Sequence, residues 1–411
     1  MKHLLKKTLS LILCIAVVFS FTACGSENVY EGPWWTQLGG NAAHTGSIDT
    51  EDKDYVYPSE LPGLSWEHQI NIYGNAAGSA LVYAEGNIYF GCTDGYVYCL
   101  KDGKKRAREI WKYPTEGSVL AGLIYDDGVI YCCGLDGCVY ALNAKNGKLI
   151  WFKDLGGTDN DGFTYSPVIT KNNTLIVGTD KGVIYSLSLE EGSQGNVLWS
   201  YTTPNNGSVN THLTYYDDGG DGVVFYGSYN TYYYALNART GKFMWDFYTT
   251  TIYCETPTAY DGYVYIPSGE GILYCIDINT GKTKWKFECE QGLYIVGPAA
   301  VHDGKVIFGS FDYNVYCLDA YNGNKLWNYK AEYVTTSAPV ICGNRVYIGI
   351  SSIQENRFYL YCLDLNNGTY KWSSAQINAI EVPATVINGS IFYTTAYGKI
   401  VKLSGDQNVE K

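Results

Sequence analysis

Hydrophobic and polar residues alternate along most of the chain in short runs, separated by Asp-Gly and Asn-Gly pairs. Residues 295–335, "IVGPAAVHDGKVIFGSFDYNVYCLDAYNGNKLWNYKAEYVT", show the unit. "PAAV" leads through the turn "HDG" to "KVIFGS" and "NVYCLDA", and the turn "YNG" leads to "KLWNY". Alternation with period two predicts half-buried strands, and Asp-Gly or Asn-Gly between such runs predicts tight hairpin turns, which need positive φ. Four antiparallel strands in roughly 40–45 residues is one blade of a β-propeller. After residue 24 no long stretch has helical periodicity.

The unit counts itself. A third-strand signature recurs at Tyr98-Cys99-Leu100, Tyr140-Ala141-Leu142, Tyr185-Ser186-Leu187 and Tyr234-Ala235-Leu236. It continues at Tyr274-Cys275-Ile276, Tyr316-Cys317-Leu318, Tyr361-Cys362-Leu363 and, in degenerate form, Val401-Lys402-Leu403. The fourth strand carries Trp111, Trp151, Trp199, Trp245, Trp285, Trp327 and Trp372, one fewer than the signatures. The missing tryptophan is Trp66, which precedes the first repeat. The fold expected is therefore all-β, an eight-bladed propeller of four-stranded blades over residues 61–405, with strand 61–70 completing the last blade. Such closure removes sheet edges that would otherwise invite aggregation. Each repeat tryptophan is expected to pack between neighbouring blades.

The stretches "YCIDINTGKTKW" (274–285) and "YALNARTGKFMW" (234–245) resemble the repeat of the PQQ-like propeller family. That resemblance spans nearly the whole chain after residue 60. It implies either of two kinds of protein: quinoprotein dehydrogenases, or non-catalytic propellers such as the lipoprotein of the outer-membrane β-barrel assembly machinery. Under the enzyme reading it implies PQQ with Ca²⁺, a tryptophan stacked on the quinone, and adjacent cysteines joined in a disulfide over the ring. Here "YCCGLDG" (131–137) supplies adjacent Cys132 and Cys133, but no catalytic Asp or Ca²⁺-binding Glu/Asn set matches. Eight of the ten tryptophans are already used by the repeat; Trp34 and Trp35 lie before the ring and are expected to cap it.

The ends add a location. Lys2, Lys6 and Lys7 followed by "LSLILCIAVVFSF" form an export signal, and "FTAC" places Cys24 where a lipoprotein cysteine is acylated. The expected organisation is a signal peptide (1–23), a lipid anchor, tether and lead-in (24–60), the propeller, and a short tail (406–411). The protein is expected outside the cytoplasm, tethered to a bacterial membrane. Net charge is −12, and −15 once residues 1–23 and their three lysines are removed. Such acidity argues against nucleic acid and against electrostatic binding to anionic headgroups.

Of thirteen cysteines, eleven remain after Cys14 and Cys24, an odd number that fits no complete disulfide framework. Cys99, Cys275, Cys317 and Cys362 share one repeat position, where a small buried side chain is required. Cys132 and Cys133 fall in the second strand of the second blade, so they should face opposite neighbours as packed thiols. The histidines lack metal-ligand spacing. "TDNDGF" (158–163) and "DDGGDG" (217–222) lack the glutamate that completes a calcium loop.

Propeller ligands sit at the channel mouth, at the starts of the innermost strands. Two residues before each repeat proline the chain has Tyr165, Glu255, Val296, Ser337 and Glu381. Glu255 and Glu381 would form either a cation or basic-peptide site or a hydrated pair. The Tyr-rich connections 248–256 and 289–296, with Tyr253 and Tyr294, are the expected recognition face. The leading expectation is a monomeric, non-catalytic, membrane-tethered scaffold that binds envelope proteins and carries no cofactor. The alternatives are a PQQ-dependent dehydrogenase acting on alcohols or sugars, and a cell-wall or carbohydrate binder.

Overall fold

A computed structural model describes residues 36–48, 55–58, 62–70, 79–156, 162, 165–352, 357–374, 383–395 and 398–405. They form eight sheets, each built on four antiparallel strands, which in the first seven blades follow sequence order from the ring centre outward. Blade 1 shows the plan: Val82–Ala84, Asn87–Gly91, Tyr96–Lys101 and Arg108–Pro114. Blades 2 to 6 repeat it through Lys330, and blade 7 holds Val340–Cys342, Arg345–Ser352, Arg357–Asp364 and Tyr370–Ser373. Blade 8 takes Thr385–Ile387, Ser390–Thr394 and Lys399–Ser404 from the C-terminal end, and its outer strand, Gly63–Gln69, from the N-terminal end. The ring closes as the tryptophan count predicted. Among the described residues the one helical element is a single 3₁₀ turn, Pro204–Asn206.

The core lies between blades rather than within them. Successive residues of a strand face opposite neighbours, so each blade contributes to two clusters. Cys132 enters the core shared by blades 1 and 2, and Cys133 enters the core between blades 2 and 3. Trp66, Trp111, Trp245, Trp327 and Trp372 are buried at these boundaries, while Trp151, Trp199 and Trp285 are half-buried.

The repeat motif has a direct physical reading. Six of these indoles donate to a carbonyl of the next blade: Trp66 to Gly103, Trp111 to Ala144, Trp199 to Ala238, Trp245 to Ile278, Trp285 to Ala320 and Trp327 to Leu365. The turn glycine of that next blade lies under the ring. At Gly281, φ is +68° and an added Cβ would fall 2.7 Å from Cγ of Trp245. In "TGKxxW", then, the glycine belongs to one interface and the tryptophan to the following one.

Trp34 and Trp35, expected to cap the ring, lie outside the described residues. Residues 36–48 follow them. They run into the channel and accept hydrogen bonds from innermost-strand amides of five blades. Tyr125 donates to Thr36, Tyr215 to Ala42, Ala259 to Ala43, Val301 to Thr45 and Ile341 to Gly46, at 2.7–2.9 Å. Those amides have no strand partner on the inner side, and a buried amide without an acceptor is costly. Ser47–Ile48 then pairs in parallel with Val340–Cys342. Beyond the lead-in, parts of the segment up to residue 58 also pack on the ring. Ile48 and Tyr55 belong to a hydrophobic core, and Tyr55 Oη meets Cys342 Sγ at 3.5 Å.

Candidate functional site

Beside this plug the channel mouth encloses a cavity of about 220 Å³. Leu38 of the lead-in lines it, together with the starts of innermost strands. Of the five mouth residues expected from sequence, Glu255, Val296 and Ser337 line it. Tyr165 stands behind them, edge-on to His212 with ring centroids 5.5 Å apart. Glu381 lies outside the described residues, as does Cys24.

Glu255 is the acidic residue of the described lining. Its carboxylate accepts from the Tyr294 hydroxyl and from the Gly297 amide. Gly297 has φ +68° beside the bulge of its strand, a conformation that suits glycine. The Glu255 backbone is fixed by the buried Tyr233, whose hydroxyl meets the amide and the carbonyl of residue 255, both at 2.8 Å. Desolvation raises the carboxyl to about 8, against the Gly297 hydrogen bond, which lowers it.

His212 was missed by counting two residues back from each proline, because it stands one residue before Leu213, which takes the proline position in blade 4. Its Nδ1 accepts from the Ser166 amide at 2.8 Å, which leaves Nε2 protonated in the neutral ring. It stacks on His44 of the lead-in at 6.3 Å, and His44 Nε2 donates to the Leu213 carbonyl at 2.8 Å. Burial lowers His44 to about 4 and His212 to about 3, so both rings are neutral near pH 7.

Outside the cavity, Tyr253 is 64% exposed and meets Tyr294 edge-on at 6.3 Å, while Phe311 lies 5.5 Å from Tyr294. Both Tyr-rich connections thus converge beside Glu255.

The residues do not fit a quinone with calcium. Among the described residues no cluster of three or more His, Cys, Asp or Glu side chains can hold a metal. Calcium takes six to eight oxygen ligands, as a rule with several carboxylates. Every described tryptophan belongs to a blade boundary. Cys132 and Cys133 are buried free thiols in separate cores, and neither lines the cavity. In "DDGGDG", Asp217 pairs with Lys171 and Asp221 with Arg239.

The model of the family described as outer membrane protein assembly factor BamB matches residues 62–218 and 194–407. Two curated relatives are the tetrathionate hydrolase of Acidithiobacillus ferrooxidans and the assembly factor BamB of Burkholderia pseudomallei. The first is 29% identical over 36% of this chain and 30% of its own length. The second is 24% identical over 59% of this chain and 56% of its own length. The chain thus spans about a third to just over half of the relatives it matches. The crystal structure of BamB from Moraxella catarrhalis superposes with TM-score 0.65 at 21% identity, covering 84% of this chain and all of that one. The quinohemoprotein alcohol dehydrogenase of Comamonas testosteroni superposes with TM-score 0.72 at 13% identity, covering 92% and 81%. At such identities the structural likeness describes the fold. With the family model matched across the ring, the chain belongs to the PQQ-repeat propeller family described as outer membrane protein assembly factor BamB.

Proposed function

We propose that this chain is an extracytoplasmic, lipid-anchored propeller that binds envelope proteins and serves their assembly without catalysing a reaction. The observation that carries the reading is the plugged channel. The segment 36–48 lies along the innermost strands of five blades, and the cavity beside it encloses about 220 Å³. Small-molecule sites usually enclose 300–1,000 Å³. The aromatic shelf of Tyr253, Tyr294 and Phe311 suits a protein partner, since tyrosine and phenylalanine are enriched in interface cores. The names of the BamB relatives point the same way. Cys24, with the export signal before it, supplies the anchor.

The dehydrogenase reading draws on the adjacent cysteines and on relatives named as methanol dehydrogenases. A titration of the chain from residue 25 onward with PQQ plus Ca²⁺ separates the two. The expected result is no change in quinone absorbance and no dye reduction with alcohols or sugars. Turnover would overturn the scaffold reading. In cells, a photo-crosslinking residue at position 253 should form adducts with envelope proteins, whereas one at Lys145, on the opposite face, should not.

A further inference from the structure

We infer that the channel-mouth cavity receives a cationic side chain of a partner polypeptide, an arginine, with Glu255 as its counter-ion. The inference rests on the protein-binding reading above and says what that face grips.

Position 255 differs from its equivalents in three other blades. In three other blades the equivalent side chain is tied up within the fold, where it accepts from the amide of a second-strand glycine. Gly91 donates to Ser79 at 2.8 Å, Gly227 to Thr211 at 2.8 Å and Gly349 to Ser337 at 2.9 Å. In blade 5 that glycine is replaced by Pro267, which pairs with Leu273 as Gly227 pairs with Tyr233. Proline has no N–H to satisfy. Position 255 is thereby released from the repeat's hydrogen bond, and a carboxyl at the cavity wall stands in its place.

That carboxyl has donors but no cation. Tyr294 and Gly297 serve it, and no described Lys or Arg pairs with it. An ionised carboxylate has about four acceptor sites, so two donors leave room for a guanidinium. Without a counter-charge the desolvated carboxyl keeps its proton near pH 7, and an incoming cation favours its ionised form. His212 stays neutral and offers no competing charge. At the outer edge, the flat faces of Tyr253, Tyr294 and Phe311 suit a planar guanidinium, which stacks on aromatic rings as well as pairing with carboxylates. The chain's net charge of −12 favours a basic partner.

The test is calorimetric titration of the folded chain with acetyl-Gly-Arg-Gly-amide and with its citrulline counterpart, a neutral analogue of the same shape. The wild type should bind the arginine peptide and bind the citrulline peptide at least about tenfold more weakly. Glu255→Gln, which keeps a carbonyl acceptor for Tyr294 and Gly297, should lose the same factor. Equal affinity for the two peptides, equal affinity of Glu255→Gln, or no arginine binding by the folded wild type would each overturn the site. The scaffold reading is judged separately by the position-253 adducts. Adducts that persist in Glu255→Gln keep the scaffold and remove the arginine from it. Arginine binding without any adduct keeps the site and removes the scaffold.

Discussion

The indole N–H of Trp245 donates to the carbonyl of Ile278 in the next blade at 2.7 Å. The same ring covers Gly281, three residues further along that turn. One side chain thus supplies a directional bond and a packing surface across a blade boundary, and equivalent bonds recur around the ring.

Trp245→Ala should destabilise the propeller by about 3–5 kcal/mol, the usual cost of emptying a buried aromatic site. Trp285→Ala should cost less, because Trp285 is half-buried where Trp245 is buried. Gly281→Ala should also destabilise, since φ is +68° and the new methyl meets the indole. Urea midpoints of the three variants check the order. A Trp285 variant as unstable as the Trp245 variant would contradict the packing described.

Gly46 lies where the lead-in passes closest to blade 6. Its φ is +61°, and an added Cβ would fall 2.9 Å from Cβ of Ala300. Gly46→Val should lift the plug and speed hydrogen exchange at the amides of Val301 and Ile341, which donate to Thr45 and Gly46. Exchange at the Trp245 interface should stay unchanged. Unaltered exchange at Val301 and Ile341 would show that the lead-in does not protect them.

Burial pushes the thiols of Cys132 and Cys133 well above the ordinary cysteine range. The thiolate is the reactive form, so both should resist a thiol reagent in the native chain. Half-buried Cys138 lies nearest the surface, with its thiol pushed up to about 11, and should be modified first. After unfolding, every cysteine of the chain from residue 25 onward should titrate as a free thiol. A count short by one pair, mapped to 132 and 133, would restore the vicinal disulfide.

Glu255 links stability to pH. Its carboxyl is raised from about 4.5 to about 8, so the folded chain retains a proton that the unfolded chain releases. Its contribution to stability should therefore fall as pH rises from about 4.5 to about 8, with a slope of up to about 1.4 kcal/mol per pH unit. His44 and His212, neutral when folded and protonated when unfolded, add a slope of the opposite sign below about 6.5, so the Glu255 slope is read above that pH. Glu255→Gln should flatten it. An identical slope in that variant would place the titrating group elsewhere.

The ring was legible in the sequence because its signals repeat. Eight third-strand signatures, one of them degenerate, and the offset of Trp66 fixed the blade number and the closing strand, and period-two alternation placed Cys132 and Cys133 on opposite faces. The plug was not legible. Residues 36–48 hold the channel largely through backbone carbonyls, which leave no pattern of side chains. His212 escaped because it lies one residue before the proline position, whereas the count went two residues back. Glu255 was found by that same count. Its difference from the equivalent positions became visible only when Pro267 proved to lie where other blades offer a glycine amide.

The closing strand also sets an order of events. Lys399 and Glu67 form an ion pair at 2.8 Å although 332 positions separate them in sequence. Closing a flexible loop of that length costs about 5 kcal/mol in entropy, and this is recovered only when the ends meet. A chain made from its N-terminus presents Gly63–Gln69 first and its partner strand last. Seven blades can pair within themselves while the eighth waits, with one of its four strands already made and unpaired. Joining the ends is the longest-range strand pairing among the described residues, and a truncation that removes Lys399–Ser404 strands an intact segment more than three hundred residues away.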